Sequence, residues 1–334
     1  MGGKLFKLGT KNREEYFKIY QKVLDKLLWY SNHHARINLI PSYRNKQIFG
    51  DMDIMVCAGD IDTNELITNR MDRTSPLFRL FGSTLIKKNG NVISFDYENF
   101  QIDLIFQKEK YYDSALVYYS YNDLGNLMGR VASKLGFRYG HFGLRYDLYS
   151  NDRDQLIKKI ELNLTSEEIF NFLGFNFQEW KNGFDELKDI YEYVTNSKYF
   201  NKDIFLYENL NHQNRTRNKK RKVYQKFIDY IQDKPTRNII RKGDALYLFN
   251  EMYPQQKLWD KIQIEQNNYK KQQEYKKKFN GNIIMGITNL QGKELGKFMK
   301  FFTDVFNKDY ILKVSQSTLI NNIIDMKQNW EIQK

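Results

Sequence analysis

Apolar residues recur near helical spacing in the first segment, where Tyr16, Phe17, Tyr20, Val23, Leu24, Leu27 and Leu28 predict an amphipathic helix over Glu14–Ser31. Shorter patterns follow. Ile37–Ile40 predicts a strand, and a polar turn, PSYRNKQIFG, leads into GDMDIMV (Gly50–Val56), where acidic and apolar residues alternate. Asp62–Phe81 contains a polar, helix-like stretch. Leu85–Lys88 and Val92–Tyr97 flank Asn89-Gly90, a hairpin signal, and FQIDLIF (Phe100–Phe106) predicts another half-buried strand. Asp123–Leu135 reads as a helix and Phe137–Tyr149 as part of a small sheet. Thr165 with Glu168 forms a capping box that opens a helix, and the pattern is largely helical from about Phe184, with breaks at Pro235 and Pro254. No repeat at solenoid periods is present.

Period-two geometry places Asp51 and Asp53 on one face of their strand, with Met52, Ile54 and Val56 on the other. If FQIDLIF lies alongside, Asp103 joins them. Three converging carboxylates are costly unless cations neutralise them, and oxygen-only ligands suit Mg²⁺. Two such ions about 3.5–4 Å apart serve phosphoryl and nucleotidyl transfer. The plainer readings are surface acids on an edge strand or a structural calcium site.

Composition adds a partner class. The 334 residues carry a net charge of +13 and are 16% aromatic, which suits a polyanion, most plausibly nucleic acid; the alternative is that lysines only solubilise the surface. Seven of the twelve positions Arg215–Lys226 are Arg or Lys, so Arg215, Arg217, Lys219, Lys220, Arg221 and Lys222 read either as a phosphate-tracking helix or as a solvated one. The second polar stretch, Tyr269–Lys278, reads as a solvated helix or linker. The single Cys57 excludes an intramolecular disulfide and is expected in the core; four histidines give no zinc spacing. No apolar run approaches the ~18–20 residues of a membrane span, and the N-terminal segment lacks a signal peptide's apolar core. A soluble, intracellular protein is expected, in the cytoplasm or, for a viral chain, the host cytoplasm, with no membrane partner.

Over roughly Arg36 to Trp180 the chain resembles the family X DNA polymerases of the DNA polymerase beta type. SYRNKQIFGDMDIMV resembles that family's G-S-x-R-R-G…G-D-x-D segment, and FQIDLIF its third-Asp strand. ALVYYSYNDLGNLMGR (Ala115–Arg130) resembles the stretch carrying Tyr-Phe-Thr-Gly, then Asn, then Arg. KLGFRYGHFGLR and TSEEIFNFLGF resemble two thumb signatures, in the same order. The tail segments NLNHQNRTRNKKRKVYQKFIDYI (Asn209–Ile231) and ITNLQGKELGKFMKFF (Ile287–Phe302) faintly resemble the helical tails of CCA-adding tRNA nucleotidyltransferases.

The resemblance implies an α+β fold: a nucleotidyltransferase palm with a mixed sheet and flanking helices (residues 1–110), a small α+β thumb (111–180) and a basic helical C-terminal domain (181–334). It implies that Asp51 and Asp53 bind two Mg²⁺ ions, with Mn²⁺ able to substitute, and that Asp103 binds the catalytic one beside the primer 3′-OH. Ser42 and Arg44, with Lys46 as an alternative to Arg44, would hold the β- and γ-phosphates of a nucleoside triphosphate, and Gly50 would let the chain pass close to them. Tyr118 and Tyr119 would flank the sugar, Asn126 would touch the base's minor-groove edge, and Arg130 would contact the template. Pro41, Asn45 and Tyr121 stand where the family has glycine. Tyr121 would face the sugar, where its bulk could tighten sugar selection or reflect another acceptor. About 35 residues precede the palm, too few for the family's lyase and DNA-gripping domains. The expected activity is addition of dNMP to a DNA 3′-OH in gapped or primer-template DNA, a repair-type reaction releasing pyrophosphate. The alternatives are an RNA or tRNA 3′-end nucleotidyltransferase, and an inactive palm that only binds nucleic acid.

Overall fold

A computed structural model describes residues 5–67, 75–151, 155–235 and 240–332 and has a mixed α+β architecture. Two compact units are present: residues through Asp147 together with Lys159–Gln256, and Leu148–Lys158 together with residues from Lys257 onward.

The first unit is organised by a five-stranded sheet of β1 (Ile37–Leu39), β2 (Met52–Cys57), β3 (Ile86–Asn89), β4 (Val92–Tyr97) and β5 (Phe100–Gln107). Their order is β1-β2-β5-β4-β3, and only the central β2–β5 pair is parallel. Helix α1 (Arg13–Tyr30) starts at Asn12, whose side chain accepts from Glu15 N–H while the Glu15 carboxylate accepts from Asn12 N–H. Its buried stripe of Tyr16, Ile19, Val23 and Leu27 packs on the Met52, Ile54, Val56, Ile102, Leu104 and Phe106 side of the sheet. The β3–β4 hairpin turns at Gly90 with φ of 60°, as the Asn-Gly pair predicts. Within Asp62–Phe81 the structure places two short helices, Thr63–Leu66 and Pro76–Phe81; residues 68–74 lie outside the described part.

β5 is buried along its whole length rather than half-buried. Its second face is covered by α2 (Tyr112–Tyr119), through Tyr112 and Ala115 against Met55, Cys57 and Ile105. Cys57 is in the core as expected. Helix α3 (Leu124–Leu135) follows after a tight elbow, and β6 (Arg138–Gly140), β7 (Gly143–Tyr149) and β8 (Leu156–Leu162) form a three-stranded sheet. The capping box at Thr165 opens α4 (Ser166–Leu173). After a short helix, Phe177–Asn182, the longer helices of this unit are α5 (Leu187–Asn196), α6 (His212–Lys219), α7 (Lys222–Tyr230) and α8 (Lys242–Met252). They stay with it because their aromatic faces are buried there. Phe249 meets Phe137 and Phe172 with ring centroids 5.1 Å apart in each case. The Gln256 side chain exchanges two hydrogen bonds, 3.0 and 2.7 Å, with the Asn163 backbone. The second unit has its own core, with Phe279, Phe298, Phe302, Ile311, Leu319 and Ile323 contributed by consecutive helices.

The α2–α3 elbow depends on one small residue. A Cβ built on Gly125 would lie 2.0 Å from the Tyr118 carbonyl oxygen, a backbone contact that no rotamer change relieves. Gly125→Ala should therefore force the helices apart and cost about 1–3 kcal/mol, read as a lowered thermal midpoint. An unchanged midpoint would mean that the elbow opens freely.

Candidate functional site

The register of the parallel pair sets the site. Asp53 on β2 is directly opposite Asp103 on β5, and Asp103 is opposite Ser94 on β4. All three side chains lie on the sheet face turned away from α1. Asp103 is buried, and both of its carboxylate oxygens accept from Gln101 Nε2, at 3.0 and 3.1 Å. Burial pushes its pKa up; Ser94 and Gln101, hydrogen-bonded to the charged form, oppose that. Gln101 is itself held, because its Oε1 accepts from Leu5 N–H at 2.9 Å.

Asp53 lacks such support. Its Oδ1 is buried without a hydrogen-bond partner. Burial first, then the neighbouring charges of Asp51 and Asp103, raise its pKa to about 7.

A cleft of about 460 Å³ opens over Asp51 and Asp53. Ser42 and Lys46, from the loop between β1 and β2, line it, with Tyr118 and Tyr119 from the end of α2 and Asn126 from α3. Lys46 packs over the Phe49 ring, 4.6 Å from its centroid; burial lowers its pKa, while Asp51 and Asp53 oppose that shift. Burial carries the Tyr119 hydroxyl up to about 12, with Tyr118 and Asp53 adding and Arg217 opposing. Arg217 from α6 and Arg221 just before α7 complete the wall, so two members of the basic run enter the same cleft as the acids. Arg221 is ion-paired with Asp123, which also lines the cleft, and both are largely buried.

Other expected site residues lie elsewhere. Arg44 is exposed and ion-paired with Asp185, and its guanidinium donates to the Asn182 carbonyl at 2.6 Å. The Arg44 and Asn45 N–H groups donate to the carbonyls of Phe184 and Asp185, which ties these two residues to the Phe184–Asp185 segment while Ser42 and Lys46 of the same loop line the cleft. Tyr121 has φ of 59° and directs its ring to Trp180 and Phe184, at 5.6 and 4.9 Å. Arg130 is half-buried against the Ile204 carbonyl, and Arg215 caps the Tyr207 and Leu210 carbonyls. Lys219, Lys220 and Lys222 are exposed, and Gly50 precedes Asp51 at the entrance to β2. Asp103 stands beside Asp53 in the sheet but is not among the residues lining the cleft.

Sequence reasoning missed Tyr16, Asn122, Asp123 and His141 in the cleft lining. Tyr16 reads as part of an apolar helix stripe. Asn122 has φ of 65°, and its Oδ1 is buried without a partner; asparagine after a chain reversal is the only signal that pointed to it. Asp123 was absorbed into a helix start. Nothing in the spacing marks His141.

Among the described residues, no three His, Cys, Asp or Glu side chains are gathered closely enough to hold a metal ion by themselves. The donor set nevertheless fits Mg²⁺, which is commonly held by one or two carboxylates together with substrate phosphates. Asp53 Oδ1 supplies a buried, unpartnered oxygen beside Asp51, and both acids line the cleft.

The Asp53 shift has a measurable sign. In metal-free buffer the folded chain holds this proton up to about pH 7, while an unfolded aspartate releases it near 4. The folded state thus binds more protons across that window, and stability should fall as pH rises through it, then level off. Thermal unfolding with chelator present should show the fall, and Asp53→Asn should flatten it. An identical fall in Asp53→Asn would place the titration on another group.

No family model matches this sequence, and comparison with characterised proteins returns no match.

Proposed function

We propose that the cleft binds a nucleoside triphosphate with Mg²⁺ and transfers its nucleotidyl group to the 3′-OH of a nucleic acid, a DNA end in the first instance, as in family X polymerases. The observation that carries the reading is the partnerless Asp53 Oδ1, set beside Asp51 and in register with Asp103, in a cleft that Lys46 and Arg217 also line. Acids and bases lining one cleft suit a triphosphate whose own charge is bound through a cation and through cationic side chains.

Asp51 and Asp53 are the residues that would hold Mg²⁺, with Asp103 reached once its carboxylate is released from Gln101. The bound ion would supply charge neutralisation at the reacting phosphate and lower the pKa of the attacking hydroxyl. Lys46 and Arg217 would offset charge on the β- and γ-phosphates as pyrophosphate departs, with the Ser42 hydroxyl as a further donor. Tyr118 and Tyr119 would form the apolar platform for sugar or base, and Asn122 Oδ1 would accept from a hydroxyl or amino group of the substrate. The acceptor oxygen bonds to the α-phosphorus, the bond to pyrophosphate breaks, and the hydroxyl proton passes to a neighbouring carboxylate or to solvent.

The deciding assay supplies purified protein with Mg²⁺, one-nucleotide-gapped DNA or tRNA lacking its 3′ end, and each nucleotide in turn. Template-matched dNMP addition to the gap is expected. CTP or ATP addition to the tRNA alone would keep the chemistry and move the acceptor to RNA. Asp53→Ala and Asp103→Ala should each lower the rate by about three orders of magnitude or more while the protein stays folded. Appreciable transfer by either variant would remove these residues from the reaction.

Tyr121→Gly gives an independent check on sugar selection. Because the ring packs on Trp180 and Phe184 outside the cleft, the change should cost about 2–4 kcal/mol in stability, tempered by relief of the left-handed backbone. The ratio of deoxy- to ribonucleotide use should not move; a changed ratio would bring Tyr121 back to the sugar.

A further inference from the structure

A second cavity of about 440 Å³ lies next to the first, and His141 lines both. It sits at the end of β5. Asp103, Ile105 and Gln107 alternate onto the same face of that strand, so Gln107 stands four residues, or about 13 Å, along the strand from Asp103. Gln107 is only 6% exposed, and its Nε2 has no hydrogen-bond partner among the described residues. An amide donor so enclosed and so placed offers a hydrogen bond to an oxygen that enters the cavity.

The charge of this cavity differs from that of the first. Lys88 and Lys108 line it, and among the described residues that line it none is acidic. Lys88 is oriented by Asn64, whose Oδ1 accepts from its ammonium at 3.0 Å, while Lys108 is exposed and available. Phe106 and Ile93 touch it from the core behind, with their side chains packed under α1. Two cations and one buried amide donor together suit a group that carries a phosphate and a carbonyl. A nucleotide carries both.

We propose that this second cavity holds a nucleotide of the acceptor strand upstream of its reacting 3′ end. The assignment of the strand's end rests on the nucleotidyl-transfer reading of the first cleft; the binding chemistry does not. Lys88 and Lys108 take the phosphate, and Gln107 Nε2 donates to a ring carbonyl. His141, shared by both cavities, marks the path between them.

The test reads binding alone, with neither triphosphate nor Mg²⁺ present. Fluorescence anisotropy of a labelled single-stranded oligodeoxynucleotide is measured at fixed salt for wild type, Lys108→Ala and Gln107→Leu. Each variant should bind about tenfold more weakly. A neutral methylphosphonate at one linkage near the 3′ end should weaken wild-type binding by a similar factor and leave Lys108→Ala unaffected. Asp53→Asn should bind no more weakly than wild type, so the site survives even if the transfer assay fails. Equal binding by wild type and both variants overturns the proposal. So does a free nucleoside monophosphate whose binding depends on Lys108 when that of the oligonucleotide does not, since the cavity would then serve a small nucleotide.

Discussion

The parallel register of β2 and β5 is the constraint on which the site depends. It sets Asp53 opposite Asp103 in the middle of a sheet whose other face is packed on α1. A slip of one residue in either strand would turn its carboxylate into that apolar layer and take its apolar residues out of it, so burial specifies the register strongly. The like charges brought together here are not treated equally. Gln101 and Ser94 support Asp103, while Asp53 keeps an unpartnered oxygen and a pKa lifted toward neutrality. The electrostatic cost of the cluster is concentrated on one atom, and that atom is where a cation gains most.

The cationic part of the cleft lining is assembled from distant parts of the chain. Lys46 arrives on the loop between β1 and β2, and Arg217 and Arg221 arrive on helices far downstream. Their entry depends on ordinary packing. Phe249 lodges between Phe137 and Phe172, Tyr224 donates its hydroxyl to the Phe205 carbonyl at 2.6 Å, and Arg221 pairs with Asp123. With Arg221 paired to Asp123 and Arg215 spent on carbonyl caps, Arg217 is the remaining arginine of the run in the cleft lining. The two cavities differ in charge: one mixes acids with cations, and the described lining of the next carries two lysines and no acid.

Local pattern made much of this legible. The α1 helix, the Asn89-Gly90 hairpin, the Thr165 capping box and the two Asp-bearing strands follow from periodicity and turn chemistry that act within a few residues. The acid pair was readable because alternation fixes the face on which Asp51, Asp53 and Asp103 project. The burial of β5 on both sides was not, because it depends on α2 covering a face that alternation alone would leave to solvent.

What the sequence determined by itself is the α+β class, the strands that carry the acids and the surplus of positive charge, all properties of short segments or of sums over them. Only tertiary structure decided which charges meet. Arg44 is drawn to Asp185, Arg130 to a backbone carbonyl and Tyr121 to Trp180, while Arg217 is one of only two members of the basic run that line the cleft and His141 reaches it without any sequence signal of its own. The reason is range. Helix and strand periodicity operate over a few residues, whereas ion pairs and buried donors find partners across the fold, at separations that one-dimensional spacing does not encode.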